Sequence, residues 1–172
     1  MVITFLPYPD FQKTAETLDM RRLGSTKNET RIIINTLLTG KGWINHPATR
    51  AWIGHIDALK LFFNIILQEW FKRGYKSGMT FYKLSNFLKV ESKIPKRFRT
   101  LRRYYRQNDY NLKMPWWMGN EEYHYSHQAV LQRKKPDFYK FDFPNKYNET
   151  GYFWPRENRT LEPYTIDGKK IV

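Results

Sequence analysis

The chain of 172 residues contains no cysteine, which excludes disulfides, a thiolate nucleophile, and Cys-ligated zinc or iron–sulfur sites. Its fold therefore rests on a hydrophobic core. Acidic residues are scarce: sixteen Asp and Glu stand against thirty Lys and Arg, a formal charge of +14 with a sequence pI of about 9.9. Such an excess points to a polyanionic partner, nucleic acid before membrane. No apolar run approaches the roughly 18 residues of a membrane span; the richest stretch, Ala51 to Phe71, is interrupted by His55, Asp57, Lys60 and Glu69. Met1 to Asp10 lack a basic n-region and an unbroken apolar h-region, so no signal peptide is expected, and the sequons at Asn28, Asn148 and Asn158 read as chance. Gly24, Gly40 and Gly54 are isolated, which leaves no Gly-rich phosphate loop, and there is no Gly-x-Ser-x-Gly elbow.

What is present is an aromatic, basic, globular composition. Hydrophobic residues make up 41% and aromatics 17%, despite a mean hydropathy of −0.73, a share disordered chains do not carry. The length suits one domain. A proline-punctuated lead, Phe5 to Pro9, precedes a short helix capped by Asp10 and reaching about Leu18. A turn is expected at Leu23-Gly24-Ser25, then a second helix from about Thr26 to Leu38 with Gly40 as its stop. Trp52, Ile56, Leu59, Phe63, Ile66 and Trp70 recur at helical spacing. They predict one central helix, with Pro47 in its first turn, Asn45 or His46 as cap, and Lys72, Arg73 and Gly74 at its end. A moderately helical stretch, Met79 to Val90, a basic stretch, Lys93 to Lys113, and a last helix, Glu121 to Lys134, follow. No strand alternation of useful length is visible. The expected fold class is mainly α, a single compact all-helical domain over residues 1–155, with an irregular aromatic tail over residues 156–172.

The basic stretch interleaves Arg97, Arg99, Arg102 and Arg103 with Phe98, Tyr104, Tyr105 and Tyr110, offering cations for phosphates and rings on which bases stack. A solvated amphipathic helix whose rings face the core would read the same way. With these arginines, Arg21, Arg22, Lys27, Arg133 and Lys134 are candidate phosphate contacts. His124 and His127 share a helical face, yet no Cys or obvious carboxylate completes a ligand set, and hydrogen-bonded histidines at a polar cleft are expected instead of a metal site. His55 reads as a partly buried, satisfied polar residue. His46, His127 and Gln128 are candidates for the polar wall of a DNA site. Trp43, Trp116 and Trp117 are either wedges against displaced bases or core. Glu29 sits among Arg21, Arg22, Lys27 and Arg31; it is either a first-turn carboxylate favoured by the helix dipole or a functional acid on a cationic surface.

Several blocks stand in order: Thr4-Phe5-Leu6-Pro7-Tyr8-Pro9-Asp10-Phe11, Leu18-Asp19, Arg22-Leu23-Gly24, Asn45-His46-Pro47 with Trp52, Pro115-Trp116-Trp117-x-Gly119, Ser126-His127-Gln128, Arg133-Lys134 with Pro136, and Tyr152-x-Trp154-Pro155. Together they resemble the pyrimidine-dimer DNA glycosylase family. Gly54-His55-Ile56 and Phe71-Lys72-Arg73-Gly74-Tyr75 are similar to its phage member, endonuclease V. The resemblance implies an all-α glycosylase with abasic lyase activity. Its nucleophile, the α-amine of the mature N-terminus, falls on Val2 once Met1 is removed, and its acid falls on Glu29. Where the phage member carries arginines, this chain has Ile3 and Ile32, and Arg22, Lys27 or Arg31 would take over the positive role. The implied partner is double-stranded DNA, damaged or modified, bound by a monomer with no membrane, metal or cofactor. The implied location is the cytoplasm of a bacterial or phage-infected cell, or wherever the DNA resides, and not outside the cell. Two alternatives stay open: excision of a modified pyrimidine from viral DNA, and non-catalytic DNA binding on the same scaffold.

Overall fold

Asp10 opens the first helix by accepting a hydrogen bond from the Lys13 N–H at 2.8 Å, as a side-chain N-cap does. A computed structural model describes residues 3–83 and 113–169 of the chain. Helix α1 (Phe11–Thr17) lays Phe11 against Phe62 of α4 (Ile56–Lys72), their ring centroids 5.0 Å apart. Between them in sequence comes α2 (Met20–Thr39), closed by Gly40 in the left-handed conformation at φ 68°, the backbone geometry that favours glycine at a helix end.

Helix α2 passes straight through Leu23-Gly24-Ser25, where a turn is expected. The reason lies across the interface, since a Cβ on Gly24 would come within 3.1 Å of the Trp70 ring. Gly24 is thus a point of close approach between α2 and α4, and not a break. As a consequence Glu29 sits in the middle of α2 rather than in a first turn, so the helix-dipole reading of this carboxylate falls away.

The expected central helix is split. His46 caps α3 (Pro47–Ala51) by accepting from the Ala48 N–H at 3.1 Å. The chain then turns through Gly54, at φ 79°, before α4 begins. The apolar spacing nonetheless reports burial correctly: Trp52, fully buried, stacks on Phe62 and meets Trp117 edge-on. Helix α4 is buried along almost its whole length from Ala58 to Glu69. Arg73 fastens its end, donating to Glu69 Oε1 at 2.8 Å and to the carbonyls of Ala15, Glu16 and Leu18 around the end of α1.

Helix α5 (Glu121–Lys134) has the expected bounds. Asn120 caps it, Glu121 and Glu122 occupy its first turn, and Arg133 and Lys134 its last, each sign at the end that the macrodipole favours. After a 3₁₀ turn (Asn145–Glu149), strand β1 (Thr150–Pro155) pairs antiparallel with β2 (Leu161–Thr165), Trp154 opposite Glu162. The architecture is therefore mainly helical with a small hairpin, where an all-helical domain and an irregular tail are expected. Gly151, Pro155 and Pro163 obscure the alternation that would announce these strands. β1 packs on α5 and α3, which fixes Tyr152 and Trp154 in the core. Met79 to Lys83 are not helical; the remainder of the expected helix to Val90, and the basic stretch up to residue 112, lie outside the described residues. Among the described residues no helix is long and apolar enough to cross a membrane.

Candidate active site

The N-terminal lead enters the core as extended chain, with Ile3, Thr4, Phe5 and Leu6 all buried. Extended backbone pairs with nothing in itself, so each buried N–H and C=O needs an outside partner. Side chains supply them. On α5, His124, His127 and Gln128 share one face through their spacing of three and four residues, and that face lies along the lead. Leu6 N–H donates to His127 Nδ1 at 3.1 Å, His124 Nδ1–H donates to the Leu6 carbonyl at 2.8 Å, and Gln128 Nε2 donates to the Pro7 carbonyl at 2.8 Å. Trp52 Nε1 reaches Thr4 Oγ1 at 3.2 Å.

These bonds dictate tautomers. His124 gives its Nδ1 proton to Leu6 and accepts the Gly119 N–H at Nε2, 2.9 Å away. His127 accepts at Nδ1, so its proton sits on Nε2, a buried atom with no hydrogen-bond partner among the described residues. Burial pushes both imidazoles below their ordinary pKa, His127 well below, and each is held neutral.

At the outer end of the lead, Ile3 N–H donates to Glu29 Oε2. Glu29 is part-buried on α2. Burial raises its pKa above the ordinary carboxylate value, and the Ile3 hydrogen bond and the charge of Lys134 pull it back. Tyr152, on β1, is buried beside this carboxylate; burial first, then the Glu29 charge, drive its hydroxyl upward, while Arg133 and Arg22 oppose them. Tyr152 and Trp154 pack against His127 at 5.0 and 6.5 Å between ring centroids, and His46 stands edge-on to Trp154 at 6.3 Å and to Trp43 at 5.7 Å. The result is a part-buried carboxylate at the mouth of an aromatic wall, with exposed Lys134 and part-exposed Arg22 near it.

The expected site residues divide accordingly. Glu29, Arg22, His46 and Lys134 converge here, and Arg21 is exposed on α2. Arg22 lies 3.5 Å from both Asp19 and the Lys134 carbonyl. Three expectations need correction. Lys27 is buried, its ammonium 4.6 Å from the centre of the Trp70 ring and 3.4 Å from Ser77 Oγ; the close approach of α2 to α4 encloses it, so it is not presented at the surface. Arg133 turns inward, donating to the carbonyls of Tyr147, Asn148 and Thr150. His127 and Gln128 are buried against the lead and do not line a DNA-facing wall. Val2, Arg97, Arg99, Arg102 and Arg103 lie outside the described residues. His55 is partly buried and bonds the Lys113 carbonyl at 2.9 Å. Trp117 is core, donating to the Ala51 carbonyl, Trp116 is half-buried, and Trp43 is 54% exposed. Sequence reasoning assigned no role to Tyr152 or to His124's bond with Leu6. The blocks Tyr152-x-Trp154 and Tyr123 to Gln128 carry what signal there is, aromatic rings close in sequence, with histidines between them in the second block.

A groove of about 940 Å³ runs between α3 and the hairpin, walled by Trp116, Trp154 and Tyr164 with Asn45, Arg50 and His55 at its edge. Among the described residues no group of three or more His, Asp or Glu could hold a metal ion. The family model described as pyrimidine dimer DNA glycosylase matches residues 2–83, the lead and α1 to α4. That description names a DNA glycosylase, and it bears out the resemblance over residues 2–83, a little under half of the chain. No curated protein and no solved structure matches the chain.

Proposed function

With the pattern of a pyrimidine dimer DNA glycosylase across its lead and first four helices as premise, we propose that this chain is a repair glycosylase with an associated abasic lyase. It acts as a monomer on pyrimidine dimers in double-stranded DNA, wherever that DNA resides, through an α-amine at its mature N-terminus and the carboxylate of Glu29. The observation that carries the reading is the hydrogen bond from Ile3 N–H to Glu29. Consecutive Cα atoms are about 3.8 Å apart, so an amine on residue 2 starts within one peptide unit of that carboxylate.

An α-amine has an ordinary pKa of about 7.7–8.0, so a useful fraction is neutral and nucleophilic near pH 7. Its nitrogen attacks C1′ as the glycosidic bond breaks, the base leaving with the bonding pair and taking up a proton. The nitrogen then releases a proton, O4′ accepts one as the C1′–O4′ bond opens, and a protonated imine forms. Removal of a C2′ proton expels the 3′ phosphate, and water hydrolyses the imine to return the amine. Glu29 serves both charge states this cycle needs: ionised, it stabilises the cationic sugar, and protonated, it delivers the proton to O4′. Its raised pKa brings the two states closer together at working pH. Arg22 and Lys134 supply positive charge for the flanking phosphates.

One observation favours a second reading, excision of a modified pyrimidine. Ile3 is buried in the core at 4% exposure and Ile32 is an exposed apolar residue, so neither position offers the cation expected of a dimer-specific member. Borohydride trapping on intact, ultraviolet-irradiated, abasic and modified-pyrimidine duplexes separates the readings. An adduct located by mass spectrometry on the N-terminal peptide supports the imine enzyme, and the duplex that yields it names the base. Tight binding with no adduct and no strand cleavage on any duplex leaves the non-catalytic alternative.

A further inference from the structure

The lead that ends beside Glu29 is not held by the helices of the family-matched half alone. Its buried backbone at Leu6 is bonded on both sides by α5, N–H to His127 Nδ1 and carbonyl to His124 Nδ1, and the next carbonyl is bonded by Gln128. All three side chains are buried, so no water substitutes for them at low cost. Three hydrogen bonds on two successive residues, Leu6 and Pro7, fix both the direction and the register of an extended segment. A slip of one residue would carry each of the four buried side chains, Ile3, Thr4, Phe5 and Leu6, into the place packed for its neighbour.

We propose that His124, His127 and Gln128 are positioning residues for the nucleophile: they set the register of the lead so that the amine one residue before Ile3 meets Glu29. The assignment rests on the amine mechanism proposed above, and it makes α5, outside the matched residues 2–83, a working part of the active site. The side chains act through backbone only. Leu6 lies three peptide units from Ile3, and between them Thr4 is pinned by Trp52 Nε1 and Ile3 by Glu29, so displacement at Leu6 is transmitted along a chain without slack. Misplacement of a nucleophile by about 1 Å can cost about 100-fold in rate.

The test compares His127→Leu, which removes the acceptor for Leu6 N–H, with His127→Asn, whose side-chain oxygen can occupy the place of Nδ1. Gln128→Met deletes a single donor at nearly constant volume and serves if His127→Leu does not fold. Three quantities are read on the full chain: duplex affinity, the rate of borohydride-trapped adduct formation on abasic DNA, and the pKa of the N-terminal amine from the pH dependence of its acetylation without DNA. In His127→Leu and Gln128→Met, trapping slows by about 10- to 100-fold, affinity stays within about twofold, and the amine pKa departs from its wild-type value. His127→Asn restores rate and pKa together. A merely structural role would lower the folded fraction without moving the amine pKa. Folded variants that trap at the wild-type rate with an unmoved pKa overturn the proposal. If the wild type forms no adduct, the enzymatic reading fails by itself; the acetylation profile still decides whether α5 governs the amine's surroundings, an unmoved pKa overturning that as well.

Discussion

Residues 3–83 and residues 113–169 meet along the N-terminal lead and contribute to it differently. From the first come the ionisable chemistry and the platform: Glu29 at mid-helix on α2, a buried α4, and Trp52 under Thr4. From the second come neutral, buried groups that hold backbone, His124, His127 and Gln128, and the ring of Tyr152 behind the carboxylate. The difference teaches that the groups which would react lie in the first segment while most of the hydrogen bonds that place them come from the second, and that a family pattern covering residues 2–83 leaves those bonds out.

The sharpest way to break this division is Glu29→Gln. The amide keeps an acceptor for Ile3 N–H but cannot ionise or deliver a proton. The expected loss is about 100-fold or more in single-turnover cleavage, with duplex affinity retained, checked by stopped assays beside a binding titration. Unchanged turnover would remove the carboxylate from the chemistry.

Next in size is a change confined to the platform. Arg73 satisfies Glu69, which is 6% exposed, and three carbonyls at the end of α1. Replacing it by Met leaves a buried carboxylate without its closest partner and reopens the helix end. Because Arg73 is itself 23% exposed, water recovers part of the loss, and a cost of about 2–3 kcal/mol in urea unfolding is expected. Activity per folded molecule should not change, in contrast to the α5 variants.

The second half announces itself through pH. Both His124 and His127 are kept below the ordinary value of 6.5, chiefly by burial; the partner imidazole adds to this for His127, while the bond to the Leu6 carbonyl opposes it for His124. Tyr123, Tyr152 and Trp154 surround His127 and offer it no carboxylate. Above pH 6.5 the folded and unfolded chains bind the same protons at these sites. As pH falls below 6.5 the unfolded chain takes up protons that the fold refuses, and stability is lost by up to about 1.4 kcal/mol per pH unit for each histidine until the folded value is reached. Glu29 has the opposite sign, since its folded pKa is raised, so denaturant midpoints from pH 7 to 5 are best compared in the Glu29→Gln background. His127→Asn should remove part of the slope there, the rest belonging to His124 and to His46, whose pKa burial also lowers.

A smaller effect probes what the sequence could and could not say. The bounds of α5, the cap at Asp10 and the buried face from Trp52 to Ile66 are all legible, because periodicity and capping are local properties. Gly24 was not, since its meaning depends on Trp70, which lies forty-six positions along the chain. For the same reason Glu29 was identifiable by resemblance while its hydrogen bond to Ile3 was not, and His127 and Gln128 could be nominated but not turned inward. The hairpin escaped because its prolines and glycine break alternation. Gly24→Ala tests the long-range case: helix propensity favours alanine by about 1 kcal/mol, but Trp70 is held by the Lys76 carbonyl, Tyr75 and Lys27 and has little room to yield. Overpacking should therefore prevail, with a net loss of about 1 kcal/mol.

The smallest expected effect is the most discriminating about charge. A chain of +14 invites every cation to be counted as a phosphate contact, yet Lys27 is buried at 7% exposure above Trp70 whereas Arg21 and Lys134 are exposed. Burial, with the nearby Arg31 charge adding to it, lowers the pKa of Lys27, and the Trp70 ring covers its ammonium. Lys27→Met should leave the salt dependence of DNA affinity unchanged. Arg21→Met or Lys134→Met should each flatten it by about 0.9 in log–log slope if that residue meets a phosphate. A flattened slope for Lys27→Met would mean that α2 parts from α4 when DNA binds. The close approach at Gly24 would then be a movable contact, and the platform half would be the adaptable one.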